Sequence, residues 1–205
     1  MKVGTLVATA GIAGCILLAG CGDGSGSGGG SGSGPKVLNV KGLYLGMDIN
    51  EAHAVLTKLL KESPLKGTTI LGMEMVGKVT REHDFLRSLG YSEDRLKTVE
   101  NEFFFTNVGG EGLNFKADVN GKVTSFEIPG LLVEFIFGIR DDLFGSSKME
   151  DSDFVQSFIN HYNIPQFKVS DDYSRWYFDS PHEYRVEIKE GKDLIVKQSP
   201  KAKFN

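Results

Sequence analysis

Two alternating segments separated by a tight turn constrain the fold of this chain more than any other feature. Apolar and polar residues alternate over residues 113–119, and the alternation returns over residues 122–128. Asn120-Gly121 lies between them, and this dipeptide is a strong β-hairpin signal because both residues tolerate a positive φ. Residues 102–106, with three consecutive phenylalanines, precede them as a further strand. The pattern predicts a three-stranded antiparallel meander.

The end of the chain has a similar order of elements. Strands are predicted at residues 175–178, 184–188 and 194–196, with Glu190-Gly191-Lys192 as the turn between the last two. A helix is predicted before each meander, at residues 49–61 and at residues 149–162, because apolar residues there recur at helical spacing.

These patterns predict an α+β fold of two tandem units, each with a helix or helices packed on an antiparallel β-meander. The predicted boundaries are residues 37–128 for the first unit and residues 129–205 for the second. The alternative is a single α+β domain whose two meanders are alike by chance.

Several local signals refine this prediction. Asp48 is a good N-cap for the first helix, and Ser147 with Glu150 resembles a capping box for the second. Further predictions are a strand and turn at residues 37–47, a helix at residues 80–88, a strand or an irregular apolar stretch at residues 68–75, and a buried strand or helix at residues 131–139.

The N-terminal region has the pattern of an export signal. An apolar segment at residues 3–18 has Lys2 as its only flanking charge, and Leu18-Ala19-Gly20-Cys21 follows, with Gly and Ser almost exclusively up to residue 34. This arrangement resembles a bacterial lipoprotein signal peptide with its lipobox. The resemblance implies a signal peptide at residues 1–20, lipid attachment at Cys21, and a Gly/Ser tether at residues 21–36.

Two alternatives remain for this region. Ile12-Ala13-Gly14-Cys15 also fits a lipobox, and the apolar segment could remain uncleaved as a membrane anchor. Gly22, directly after the lipidated Cys, resembles the sorting pattern of Gram-negative outer-membrane lipoproteins. We therefore expect a lipid-anchored protein of the bacterial cell envelope, in the outer membrane and facing the periplasm.

Composition limits the classes of partner and cofactor. The net charge is −4, and removal of residues 1–20 takes away only Lys2 and leaves −5, so we expect no nucleic-acid partner. The two cysteines, Cys15 and Cys21, both lie in the export region, so we expect no disulfide and no Cys-ligated metal in the mature domain.

The start of the predicted body resembles a known family of small lipoproteins. Residues 41–52 read Lys-Gly-Leu-Tyr-Leu-Gly-Met-Asp-Ile-Asn-Glu-Ala, and this Gly-Met pair with a polar cap and an amphipathic helix is similar to the opening of the BamE (SmpA/OmlA) family. Residues 113–123 resemble its closing hairpin, and the β-lactamase inhibitory protein type has a similar unit in tandem. The resemblance implies a binding module rather than an enzyme.

No residue pattern indicates catalysis, a cofactor or a metal. The four histidines, His53, His83, His161 and His182, are not in metal-ligand spacing with one another, and Arg81-Glu82-His83-Asp84 is interpreted as a solvated face. No Gly-x-Ser-x-Gly or phosphate-binding loop is present in the sequence. We therefore expect a non-catalytic protein.

Trp176 and Tyr177 are the candidate binding residues. Aromatic side chains are frequent in binding hot spots, although a strand with one face in the core explains the same residues. The sequence favours a non-catalytic module that binds another envelope protein in outer-membrane maintenance or assembly. The alternative is an inhibitor, immunity or exclusion-type lipoprotein that blocks another protein.

Overall fold

The structure, a computed structural model, describes residues 33–63, 69–70, 73–74, 79–96, 101–105, 112–141 and 145–199. The predicted signal peptide, Cys21 and the tether up to residue 32 lie outside the described residues. Five helices are present in the described part: α1 Ile49–Lys61, α2 Glu82–Ser88, α3 Glu93–Leu96, α4 Gly130–Ile136 and α5 Asp151–Tyr162.

Ten strands accompany the helices. They are β1 Thr69–Ile70, β2 Met73–Glu74, β3 Thr80–Arg81, β4 Asn101–Phe105, β5 Gly112–Ala117, β6 Val123–Ile128, β7 Lys168–Val169, β8 Arg175–Asp179, β9 Tyr184–Lys189 and β10 Leu194–Gln198. β1 and β2 pair only with each other, and the remaining strands form one eight-stranded antiparallel sheet. The predicted α+β class is confirmed.

The sheet joins the two predicted meanders edge to edge. Its order is β3-β4-β5-β6-β10-β9-β8-β7, so the pairing of β6 with β10 connects the halves. In this pairing Leu194 lies opposite Ile128 and Val196 lies opposite Phe126. The strands at both edges, β3 and β7, have only two residues each, which limits the edge available for pairing with other chains.

One face of the sheet carries the core. Phe104, Phe115 and Phe126 stack across β4, β5 and β6, with ring centroids 4.7 and 5.8 Å apart. Val186 and Val196 continue this buried face into β9 and β10. The apolar residues of α1, α4 and α5 pack against it in a single cluster that includes both halves of the sheet: Ala52, Leu56, Leu60, Leu132, Val133, Phe135, Phe154 and Phe158.

The first helix forms as the sequence predicts. Asp48 Oδ1 accepts a hydrogen bond from the Asn50 N–H at 2.9 Å, which satisfies a free donor of the first turn. Ile49, Ala52, Leu56 and Leu60 form its buried stripe. His53, which directly follows Ala52 in this helix, packs edge-on against Phe104 with ring centroids 5.5 Å apart.

The predicted strand at residues 37–47 is wrong. The segment contains a bridge between Val40 and Leu43, with a turn at Lys41 and Gly42, both of which have positive φ. The backbone of this segment forms hydrogen bonds with the β5–β6 hairpin instead: the Gly46 N–H donates to the Val123 carbonyl at 2.7 Å. Its apolar residues are buried as predicted for a strand, but they reach the core from an irregular loop: Leu38, Val40, Leu43 and Met47.

Two helix starts differ from the predictions. α5 begins after Glu150, whose side chain makes no capping hydrogen bond, and the Ser147 hydroxyl bonds locally with Met149. The predicted capping box is therefore wrong. Thr80 and Arg81 form a strand that pairs with β4, so the helix predicted from residue 80 begins only at Glu82.

Candidate functional site

The second face of the sheet, opposite the core, is the candidate site and is called the open face here. Directly paired residues form one row across seven strands of it: Lys168, Tyr177, Glu187, Ile195, Glu127, Asn114 and Phe103. These positions alternate with core residues, because successive side chains of a strand point to opposite faces. The buried apolar residues of α1, α4 and α5 belong to the core cluster on the other face.

A buried carboxylate lies near the middle of the open face. The side chain of Glu187 is only 5% exposed. Three cations surround it: Arg175 Nη1 at 3.5 Å, Arg185 Nε at 3.4 Å and Lys197 Nζ at 3.7 Å. The flanking long side chains therefore cover the carboxylate and compensate its charge.

The open face is basic on an otherwise acidic chain. Its paired strands present six cations against three carboxylates, Asp179, Glu187 and Glu127; the cations are Lys116, Lys168, Arg175, Arg185, Lys189 and Lys197. The face therefore has a formal charge of +3 (six minus three), whereas the whole chain has −4. Lys189 Nζ contacts Glu127 Oε1 at 2.9 Å, and this hydrogen bond raises the pKa of Lys189.

The structure separates the two aromatic residues that the sequence singled out. Trp176 shares the core face with Phe178 and packs partly buried against the core cluster. Tyr177 lies on the open face, where the Arg185 guanidinium sits over its ring, 4.2 Å from the centroid. Only Tyr177 is therefore placed to contact a partner on the open face.

Sequence reasoning missed most of the open face. Arg185, Glu187 and Lys189 occupy alternate positions of β9, and Arg175 with Tyr177 does the same in β8. Such alternation of charges with buried residues is the signal that could have identified a polar sheet face. The neighbours contributed by the first meander depend on the β6–β10 pairing, for which the sequence contains no local signal.

A second charged cluster lies on the helix side. Lys192 Nζ contacts Asp151 Oδ1 at 2.7 Å and Glu134 Oε1 at 3.1 Å, and Glu134 also accepts from Arg140 Nε at 2.5 Å. The side chains of Lys192 and Glu134 are 5% and 6% exposed. Two carboxylates are thus matched by two cations, an arrangement that joins α4 and α5 to the β9–β10 turn.

Hydrogen bonding determines how this cluster ionises. Burial alone raises the pKa of Glu134, but hydrogen bonds from Ser147, Arg140 and Lys192 outweigh it, so its pKa lies below the usual value. Burial likewise opposes ionisation of Asp151, and bonds from Lys192 and the Gly191 N–H lower its pKa. Both carboxylates are charged and fully partnered at neutral pH, which suits a structural role rather than proton transfer.

The other ionisable residues considered from the sequence are dispersed. His53 Nε2 lies 2.7 Å from the Val79 carbonyl, and Asp84 pairs with Arg87 at 2.7 Å, while Arg81 donates to Asn50. Within the described ranges, no group of three or more His, Cys, Asp or Glu side chains is arranged to hold a metal ion.

The described helices are also too short or too polar to cross a membrane.

Comparisons with known proteins identify no relative of this chain. No known family pattern, no curated protein and no solved structure matches the chain. Its possible activity therefore rests on the residues and the geometry described above.

Proposed function

We propose that this chain is a lipid-anchored protein of the bacterial cell envelope that binds another protein through the open face. The open face itself carries the proposal: a polar sheet surface whose paired row crosses seven strands, with Tyr177 near one end and Phe103 at the other. Tyr and Arg side chains are enriched in protein interfaces, and both occur on this face.

The charge of the open face favours an acidic partner surface. Of the three cations around Glu187, Arg175 and Lys197 have side chains that are 46% and 45% exposed, so both are accessible to an incoming carboxylate. Such complementarity increases the association rate and selects partners. The proposed role is non-catalytic, in the maintenance or assembly of the outer membrane.

The position of the tether is compatible with this use. The Tyr184 hydroxyl donates to the Pro35 carbonyl at 2.8 Å, and a Cβ on Gly34 would lie 3.2 Å from Phe178. Tyr184 and Phe178 both belong to the core face. The chain from the proposed lipid anchor therefore reaches the body away from the open face. The 13 residues of its Gly/Ser run, residues 22–34, span on the order of 20 Å as a flexible coil.

The tandem arrangement is also part of the proposal. Each half supplies a helix-bearing segment and a meander, and the two meanders meet at β6 and β10. Two related units, at residues 37–128 and 129–205, would place one binding surface across both halves.

Site-specific photocrosslinking in the living envelope tests the proposed interface. A photoreactive phenylalanine analogue is introduced at Ile195, at the centre of the row, and in a control chain at Gln156, which is exposed on α5. We expect a discrete crosslinked species from Ile195 alone. It should weaken when Arg175→Gln and Lys197→Gln are combined, but not with Lys58→Gln and Lys148→Gln, which remove the same charge elsewhere.

The identity of the crosslinked protein then distinguishes the candidate roles. An outer-membrane assembly component supports the maintenance role, whereas a toxin, a phage protein or an enzyme indicates an inhibitor, immunity or exclusion function. Equal crosslinking from Ile195 and Gln156, or none from Ile195, would overturn the open face as the binding surface.

The lipid anchor has its own test. Mass spectrometry of the mature N-terminal peptide should find acyl groups on Cys21, and Cys21→Ala should abolish the acylated peptide. Cys15→Ala is the matched control and should leave acylation intact. Loss of acylation with Cys15→Ala instead would assign the lipobox to the earlier cysteine.

A further inference from the structure

A cavity on the helix-bearing side of the sheet combines an apolar lining with one lysine that forms no ion pair with the described residues. Its volume of 380 Å³ lies within the range of cavities that hold small organic molecules and far above the voids of a close-packed interior. It lies between the end of α4 and one side of α5. Its apolar lining consists of Phe137, Ile139, Met149, Phe154 and Phe158.

Lys41 supplies the cation. Its backbone has a φ of 54°, and its Nζ lies 5.3 Å from the centroid of the Phe137 ring. No carboxylate of the described chain forms an ion pair with it, and burial lowers the pKa of Lys41. A partly desolvated ammonium group without a counterion is unfavourable, and no described carboxylate supplies one, so a bound anion would stabilise the charge of Lys41.

Two residues of α5 add hydrogen-bonding groups at the same cavity. Ser157 and His161 both line it, and their four-residue spacing places them one helical turn apart on the same side of α5. Both are exposed, which indicates that this side of the cavity opens to solvent. The polar groups are therefore available to a ligand whose polar end faces outward.

We propose that this cavity binds a single-chain carboxylate, such as a medium-chain fatty acid. The hydrocarbon lies among the phenylalanine side chains and the carboxylate pairs with Lys41. A single lysine with no ion pair among the described residues matches a monoanion, and the size of the cavity suits one short chain rather than a two-chain lipid. This inference does not depend on the proposed binding function, because the cavity and the open face lie on opposite sides of the sheet.

Photoaffinity labelling of the full-length protein in phosphatidylcholine vesicles tests the proposal. The probe is decanoic acid carrying a diazirine, and the labelled peptides are identified by mass spectrometry. We expect labelling of α5 and of the chain around Phe137, with competition by excess decanoate but not by decyltrimethylammonium. Lys41→Gln should reduce labelling about ten-fold, because a charge-assisted hydrogen bond is lost, while Lys58→Gln should leave it unchanged.

A second variant keeps the test independent of any folding defect at Lys41. Ser157→Trp adds bulk at an exposed position that lines the cavity, so labelling should fall while the urea midpoint stays the same. The proposal is overturned if a cationic diazirine probe labels the same peptides equally, if labelling spreads over the whole surface, or if it survives both substitutions.

Discussion

The backbone carbonyl oxygen of Gly191 occupies the space that a side chain on Gly130 would need. Gly130 begins α4, and its N–H donates to Asp193 Oδ1 at 2.7 Å, so the helix start is packed directly on the β9–β10 turn. Gly130→Ala should therefore destabilise the fold by about 1–3 kcal/mol or more, because the backbone must move to admit a methyl group. Urea unfolding followed by circular dichroism measures the change.

Gly112→Ala is the matched control for this prediction. A Cβ at Gly112 would meet no atom within 4 Å, and its φ is not positive. Its stability should stay within about 0.5–1 kcal/mol of the unsubstituted protein. Similar losses in the two variants would show that the helix start tolerates displacement from the turn.

Lys192 should be the most sensitive of the charged residues on the helix side. Its ammonium group pairs with both Asp151 and Glu134, so Lys192→Met leaves the buried Glu134 and the partly buried Asp151 with fewer partners. We expect a loss of about 3–5 kcal/mol in the free energy of unfolding. Urea titration at neutral pH provides the measurement.

Lys148→Met controls for the removal of a lysine charge. Lys148 also pairs with an aspartate, Asp141, but its side chain is 56% exposed. Exposed pairs contribute about 0–1 kcal/mol, so this variant should unfold close to the unsubstituted protein. A loss for Lys192→Met no larger than that for Lys148→Met would contradict a stabilising role of the buried cluster.

The same cluster predicts how stability changes with acid. The pKa values of Glu134 and Asp151 are lowered in the folded state, so their stabilising contribution is complete above the unfolded-state pKa and is lost as pH falls through the folded-state pKa. Urea midpoints should therefore fall between about pH 5 and pH 2. Asp151→Asn should be less stable at neutral pH, and its curve should converge on that of the unsubstituted protein in acid.

Asp153→Asn tests whether this acid dependence belongs to the cluster. Asp153 lies in the same first turn of α5 but is exposed. Its midpoints should run parallel to those of the unsubstituted protein over the whole range. An Asp153→Asn curve that converges in acid in the same way would assign the effect to the helix terminus rather than to the contacts of Asp151.

Local patterns predicted most of the regular structure. The alternation on either side of Asn120-Gly121 and around Glu190-Gly191-Lys192 led to two hairpins that the structure contains, because strand period and turn preference are properties of adjacent residues. The stretch at residues 37–47 shows the limit of that reasoning. Its apolar residues are buried, but pairing with the β5–β6 hairpin determines its backbone, and no local pattern reports such a contact.

The candidate sites were harder to predict for the same reason. The open face depends on β6 and β10 pairing, although 65 residues separate the end of one from the start of the other. Adjacent positions in a strand face opposite sides, so the separation of Trp176 from Tyr177 followed from their spacing once β8 was assigned. The cavity beside Lys41 has no sequence signature, because three distant segments form it.

Substitutions of Trp176 and Tyr177 distinguish a residue that packs in the core from one that contacts a partner. Trp176→Thr removes a partly buried ring from the core, so we expect a loss of about 2–4 kcal/mol in the free energy of unfolding. Tyr177→Thr keeps strand propensity and removes a ring that contacts Arg185 on the open face, so it should cost about 1 kcal/mol or less. Crosslinking from Ile195 should show the opposite order: strongly reduced in Tyr177→Thr, and retained by the folded fraction of Trp176→Thr. If Tyr177→Thr crosslinks normally while Trp176→Thr folds but does not crosslink, the binding surface lies on the side of Trp176 and not on the open face.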